Sequence, residues 1–300
     1  MEEGRPSTTA IVTATWRAAH LLVDGEPKIL EDSLALGLSG ATDEATFRAH
    51  YEALLTEFSR RLDPELAPVL FRSMRAVVTM RSRYVEDELS KAIERGVTQY
   101  VILGAGLDSF AYRRRDLADR VQVFEIDHPA SQQWKRGRLR ELQVALPPNL
   151  TFLPLDFERQ TLTDGLRAGG YRLEAPGFFS WLGVIPFLTE EAIFGTLKEV
   201  AALAPGSEMV FDYVLPEALL DEESRRIVAV GKESSAARGE PWLSLFEPVN
   251  FAAQVKTLGF TEVWNFGAEE ANLRYFAGRT DGLRIPNAEC LMKTRVGGVG

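Results

Sequence analysis

YVILGAGLDS, residues 100–109, runs from apolar β-formers into Gly104-Ala105-Gly106 and then into Asp108 and Ser109, which read as the start of a helix. In open α/β sheets the ligand lies in the crevice at the carboxyl ends of the strands, where strand order reverses. A dinucleotide fingerprint would read G-x-G-x-x-G. Gly104 and Gly106 match it, but Ser109 stands where the third glycine belongs. Two positions without a β-carbon still let a ligand lie against the backbone. Asp108 argues against a pyrophosphate, because a carboxylate at the helix start competes with a bound anion for the same amides.

Working outward, strand-like runs alternate with helix-like ones from residue 99 onward: 99–106, 121–127, 150–156, 177–184 and 207–214 are short and apolar and end in turn or acidic residues. The stretches between them, such as HPASQQWKRGRLRELQVAL (128–146) and TEEAIFGTLKEVAALAPG (189–206), are helical, the second opened by Thr189 and stopped at Pro205-Gly206. Near-continuous apolar strands separated by helices imply a mostly parallel sheet covered on both faces. After a long helical stretch at 216–239 and a loop at 239–248 come a helix at 249–260 and two further strands, TEVWNF (261–266) and AECLMKTRV (288–296), which predict an antiparallel hairpin at the sheet edge. The expectation is an α/β fold with a doubly wound, mostly parallel seven-stranded sheet. Residues 7–95 contain no convincing strand, and the expectation is that 1–95 form a helical cap and cofactor-covering helices and 96–300 the ligand-binding domain, with a lid-like insertion at about 216–247.

The end of the second strand narrows the ligand. FEIDHP places Asp127 23 positions after Gly104, near the spacing of about 20 at which an acid takes hydrogen bonds from ribose hydroxyls. At the end of the third strand Asp156 is placed to accept the adenine amino group and Phe157 to pack on the ring. A nucleoside without phosphates fits these parts best, and S-adenosylmethionine is such a ligand. Its amino acid end needs a cation. In the helix preceding the first strand, Arg81, Val85 and Leu89 share a face while Arg83 points about 160° away. Arg81 therefore sits among apolar residues and needs a carboxylate, either the ligand's or a protein acid's.

The segments 10–20, 29–35, 80–89, 100–114, 123–139, 153–157 and 180–193 resemble the leucine carboxyl methyltransferase family, and within it the bacterial branch of S-adenosylmethionine-dependent methyltransferases acting on polyketides and unknown acceptors. The likeness runs from about residue 8 to about residue 295, its most specific part being the glycine turn combined with EIDHP. It implies the Rossmann-like class I methyltransferase fold. It also implies that Arg81 binds the cofactor carboxylate, Gly104 belongs to the cofactor turn, Asp127 binds ribose, Asp156 and Phe157 border adenine, and Arg17 corresponds to an N-terminal cation. One departure stands out: phosphatase-directed members carry a glutamate after the fourth strand and then a tyrosine, where this chain has Trp181-Leu182 and Phe187. An indole face on Trp181 could offset the lost charge against the sulfonium.

The acceptor is less legible. Phe187, Tyr213, Trp242 and Phe246 lie after strands four and five or in the adjoining loop and are candidates for its pocket. No histidine among His20, His50 and His128 suits a general base, which favours a carboxylate, already ionised near pH 7, over a hydroxyl. No residue in the sequence stands out as catalytic. A nicotinamide oxidoreductase and a non-catalytic protein of the same fold remain the alternatives. The net charge of -9 and pI near 5.1 disfavour nucleic acid as a partner. The single cysteine, Cys290, excludes a cysteine-cluster metal site and reads as a small buried hydrophobe. With no long apolar run and the polar opening MEEGRPSTTA, the expectation is a cytoplasmic protein that acts on a small molecule, without a membrane partner.

Overall fold

The computed structural model describes residues 8–62, 64–155 and 160–297, with Arg61 described by its backbone only. Four helices come first: α1 (Thr8–Val23), α2 (Ala35–Leu38), α3 (Glu44–Arg61) and α4 (Leu66–Glu94). Strand and helix then alternate through β1 (Gln99–Leu103), α5 (Phe110–Arg113), β2 (Gln122–Asp127), α6 (Pro129–Glu141), β3 (Leu150–Pro154), α7 (Leu162–Ala168), β4 (Phe178–Trp181), α8 (Glu190–Ala201) and β5 (Glu208–Val214). The chain closes with α9 (Glu222–Ala237), α10 (Pro248–Thr257), β6 (Phe260–Phe266), α11 (Ala268–Ala271) and β7 (Glu289–Val296). Side-chain caps set several of the starts. Asp43 accepts from the Thr46 amide at the head of α3, Thr189 from Ala192 at α8, and Asp221 from Ser224 at α9. The stretch expected to be helical from 216 is a short 3₁₀ turn at Glu217–Leu219, and α9 begins only after Asp221.

The seven strands form one sheet in the order β3-β2-β1-β4-β5-β7-β6. The first five are mutually parallel. The expected antiparallel pair at the sheet edge is present: β7 pairs with β6 and inserts between β5 and β6, antiparallel to both, so that β6 forms the edge. The side chains account for this order. β7 is mostly buried along its length, whereas the interior positions of β6 are mostly exposed.

Register sorts the side chains onto two faces. Val101, Leu103, Ile126, Phe179, Trp181, Phe211 and Tyr213 point into a core covered by α7, α8 and α10. Tyr100, Ile102, Val123, Phe178, Val210 and Leu291 point to the opposite core, covered by α4 and α5. α4 has an apolar stripe, with Val77, Tyr84, Val85 and Leu89 buried against this second face. Strand order reverses at β1 and β4, so the loops at their carboxyl ends diverge and leave a crevice between them. No helix among the described residues is long and apolar enough to cross a membrane.

Candidate functional site

The turn after β1 is held in a conformation that glycine permits. Gly104 and Gly106 have φ of 62° and 43°, and a β-carbon on Gly104 would lie 2.6 Å from Cγ2 of Val184. The Ala105 amide donates to the Ile126 carbonyl at 3.0 Å, and the Asp108 amide to the Ala105 carbonyl at 2.7 Å. Asp108 caps the turn into α5 by accepting from the Phe110 amide at 2.7 Å.

Asp127, at the carboxyl end of β2, faces this turn. Its Oδ2 accepts from the Gly106 amide and its Oδ1 accepts from the His128 amide at 2.7 Å. Burial raises this carboxyl above its ordinary range, the two amides opposing the shift. His128 opens α6, its Nδ1 accepting from the Ala130 amide at 3.3 Å.

Arg81 reaches the crevice from α4. Its Nη1 donates to Asp212 Oδ2 at 2.8 Å and stands 3.9 Å from Glu289 Oε1. Asp212 also accepts from the Gly183 amide at 2.7 Å, and a β-carbon on Gly183 would lie 2.7 Å from Nη2 of Arg81. One carboxylate on β5 thus fixes both the guanidinium and the loop after β4. Arg83 lies on the outer side, its Nε donating to Asp87 at 2.8 Å with the side chain half exposed. Arg17, on α1, is buried. Its Nε donates to Asp32 at 2.8 Å and its Nη2 to the Leu107 carbonyl at 2.6 Å. Burial pushes the Asp32 carboxyl up, but Arg17, Arg113 and the Ser109 hydroxyl outweigh it and hold it below the ordinary range. This network ties α1 to the glycine turn.

These parts open into a cavity of about 460 Å³. Arg81, Gly104, Ala105, Gly106, Asp127 and Phe187 all line it. α1 contributes Thr9, Thr13 and Arg17; α6 contributes Ser131 and Trp134; the loop after α9 contributes Glu240, Pro241 and Leu243. The Thr9 hydroxyl donates to Glu240, joining α1 to that loop across the cavity mouth. The loop is anchored from below, the Leu243 amide donating to the Pro186 carbonyl and the Ser244 hydroxyl to the Leu188 carbonyl, both at 2.6 Å.

Four expected aromatics are placed elsewhere. Trp181 is buried beside Leu103 in the core on the far face from Arg81, because its neighbours Ser180 and Leu182 take the alternate positions and line the cavity instead. It is therefore not placed to offer its indole to the sulfonium. Tyr213 and Phe246 belong to the same core. The Tyr213 hydroxyl donates to Asn265 at 2.9 Å, and Phe246 stacks on Phe251 with ring centroids 3.9 Å apart. Trp242 packs on that core, its ring against Gly231 of α9. Asp156 and Phe157 lie outside the described residues. Thr9, Thr13, Ser131, Trp134 and Glu240 line the cavity without having been expected from the sequence. Only Ser131 and Trp134 carried a signal: three residues apart in the first turns of α6, they share the face turned toward the end of β2.

An open α/β sheet of this order, with its cavity over a glycine turn and an acid at the next strand end, defines the class I methyltransferase architecture. Solved structures agree on the fold. A DUF574-family protein from Streptomyces avermitilis superposes with a TM-score of 0.60 at 17% identity over 98% of both chains, and a protein from Thermobifida fusca described as a "putative methyltransferase" with a TM-score of 0.57 at 17% identity, covering 99% and 97%. Among sequence relatives, "Putative S-adenosyl-L-methionine-dependent methyltransferase YktD" of Bacillus subtilis is 30% identical, covering 94% of this chain and 95% of that protein. A similarly described protein of Mycolicibacterium paratuberculosis is 34% identical, covering 76% and 75%. Residues 10–201 match the model of the leucine carboxyl methyltransferase family. The chain belongs to that family of S-adenosyl-L-methionine-dependent methyltransferases, and the nicotinamide alternative falls away.

Proposed function

We propose that the protein O-methylates a small molecule, with S-adenosyl-L-methionine held across the glycine turn, Asp127 and Arg81. The observation that carries this reading is the meeting of the Gly106 amide, the Asp127 carboxylate and the Arg81 guanidinium in one cavity. The residues suit the cofactor. The turn offers bare backbone at Gly104, where a β-carbon would collide with Val184; Asp127 offers a carboxylate to ribose hydroxyls; Arg81 offers a guanidinium to the amino acid carboxylate. Bound there, the cofactor supplies an electrophilic methyl group on a sulfonium. Ser131 and Trp134, which line the cavity from α6, join Asp127 on the adenosine side in this proposal.

The chain's contribution to the reaction is alignment and exclusion of water. Within the helical first third, α1 acts as the cap and closes one side of the cavity while α4 packs on the sheet, and the lid part of the 216–247 segment narrows to the loop carrying Glu240 and Leu243. Phe187, Leu188 and Leu243 give the acceptor an apolar wall.

Both carboxylate and hydroxyl acceptors fit this wall, but Glu240 favours the hydroxyl. An ionised Glu240 would repel a carboxylate acceptor and could accept the proton a hydroxyl gives up. The test is turnover of S-adenosylmethionine to S-adenosylhomocysteine with panels of small carboxylic acids and phenols. Activity on phenols that falls at least tenfold in Glu240→Gln supports the hydroxyl reading. Activity on acids alone returns the carboxylate, and no turnover with either, despite tight cofactor binding, removes O-methylation.

A further inference from the structure

Beneath the cavity, on the face of the sheet covered by α4, one cation meets two carboxyl groups. Leu291 of β7 lies opposite Asp212 of β5, and Glu289 lies opposite Val214, so the side chains at 289 and 212 emerge on the same face. Asp212 is fully engaged: one oxygen takes the Arg81 guanidinium and the other the Gly183 amide. Glu289 is not. Its Oε1 is buried without a hydrogen-bond partner, 3.9 Å from Arg81 Nη1 and beyond hydrogen-bonding distance.

Were both carboxyls ionised, the single guanidinium would sit in a site of net negative charge, a poor receptor for a further carboxylate. A carboxylate largely shielded from water, with one oxygen buried and without a donor, is also costly in itself. We infer that Glu289 is a positioning residue of the cofactor site: it stands behind Arg81 as an un-ionised carboxyl, so that Asp212 alone balances the guanidinium and the cofactor's carboxylate can dock on the side facing the cavity. The inference rests on Arg81 being the partner of that carboxylate.

The charges around Glu289 act in this direction. Burial and the Asp212 carboxylate hold it well above the ordinary carboxyl range against the pull of Arg81. Arg81 comes from α4, Asp212 from β5, and the Cys290 thiol, next along its own strand, is itself pushed up to about 11 by burial. A docked carboxylate adds another negative charge nearby, so binding favours the protonated form of Glu289 still further. Affinity is then fully present below the pKa of Glu289 in the free protein and is lost as pH rises through it.

The test uses the full chain and S-adenosylhomocysteine, which carries the same carboxylate without the reactive methyl. Infrared difference spectra between wild type and Glu289→Gln at neutral pH should show the carbonyl stretch of one protonated carboxylic acid in the wild type only. In titration calorimetry from about pH 6 to about pH 10, wild-type affinity should weaken as that band disappears. Glu289→Gln, which stays neutral, should bind about tenfold or more tightly than wild type at the alkaline end, the factor that one unit of pKa difference carries. The α-amino group of the ligand titrates identically with both proteins and cancels in the comparison. Glu289→Ala gives a second neutral side chain should the glutamine variant not fold. A wild type without the band at neutral pH, or equal alkaline behaviour in wild type and neutral variants, overturns the inference. If Arg81→Gln leaves S-adenosylhomocysteine binding intact, the failure lies instead in the assignment of Arg81, and the inference falls with it.

Discussion

Arg81 and Arg83 differ by two positions on one helix, and their environments differ enough to make a quantitative contrast. Arg81 is 9% exposed and bonded at 2.8 Å to Asp212, whose side chain is 3% exposed. Arg83 is half exposed, and its partner Asp87 keeps Arg274 and the Tyr275 hydroxyl, each at 2.8 Å, when Arg83 is removed. Truncating Arg83 should cost under about 0.5 kcal/mol in stability and leave cofactor binding unchanged. Truncating Arg81 acts twice. It strips a buried carboxylate of its cation, a change that costs about 3–5 kcal/mol of stability. It also removes the charge-assisted hydrogen bonds to the ligand carboxylate, about 2–4 kcal/mol, or roughly 30-fold to 1,000-fold in Kd.

A double variant separates the two effects. Arg81→Ala with Asp212→Asn removes the orphaned charge together with its partner, so urea unfolding should recover a large part of the stability while titration with S-adenosylhomocysteine recovers none of the affinity. Both single arginine variants lose one positive charge from the same helix, so a general field effect cannot produce the difference. Equal loss of affinity in Arg81→Ala and Arg83→Ala, or return of binding in the double variant, would refute the assignment of Arg81 and show that its contact with Asp212 is its whole role.

Asp127→Asn should weaken S-adenosylhomocysteine binding by at least about tenfold, since an amide accepts less strongly than a carboxylate and turns a donor toward the Gly106 amide. Because burial raises this carboxyl, wild-type affinity should fall on acidification at a higher pH than an ordinary aspartate would dictate, and calorimetry across mildly acidic pH should find that fall absent from the variant. Gly104→Ala places a β-carbon at positive φ and 2.6 Å from Val184, so it should cost about 1–3 kcal/mol in urea unfolding; Gly104→Ala with Val184→Ala should regain only the share due to the collision. Lys135 and Glu125 form an ion pair at 2.6 Å with each side chain 1% exposed; burial raises Glu125 to about 7 even with the lysine present. Lys135→Met removes the cation that holds Glu125 down to about 7, so its stability loss should grow as pH rises through about 7 and shrink below it, where Glu125 carries a proton with or without the lysine, and Glu125→Gln in the same chain should remove that pH dependence.

The parts of this molecule that were legible in the sequence are those whose reason is local. The strand runs from Gln99 to Val214 each carry enough contiguous apolar surface to require burial, and the acidic or glycine-rich residues that end them also mark the ligand side of the sheet. The phase of α4 placed Arg81 on the packed face because a helix of that length presents one unbroken stripe. Position within the sheet is a different matter. β7 sits inside β6 because of how their flanks are covered, and neither strand states in its own residues which partner lies on its other side.

The aromatic assignments strayed for a related reason. Composition marks Trp181, Tyr213 and Phe246 as large and apolar, which equally describes a pocket wall and a core. Strand alternation held part of the answer: Arg81 lies on the face of Ile102 and Ser180, and one step along β4 carries Trp181 to the other face, next to Leu103. The pair formed by Asp212 and Glu289 was harder to see. Its members are 77 residues apart in sequence and meet only through the register of β5 and β7, and a strand acid reads as a solvated terminus until a helix from the first third of the chain is laid across it. The charge balance of the proposed cofactor site is therefore a tertiary property. Arg81 is visible in the sequence, but whether it has charge to spare for a ligand depends on a carboxyl group more than 200 residues away.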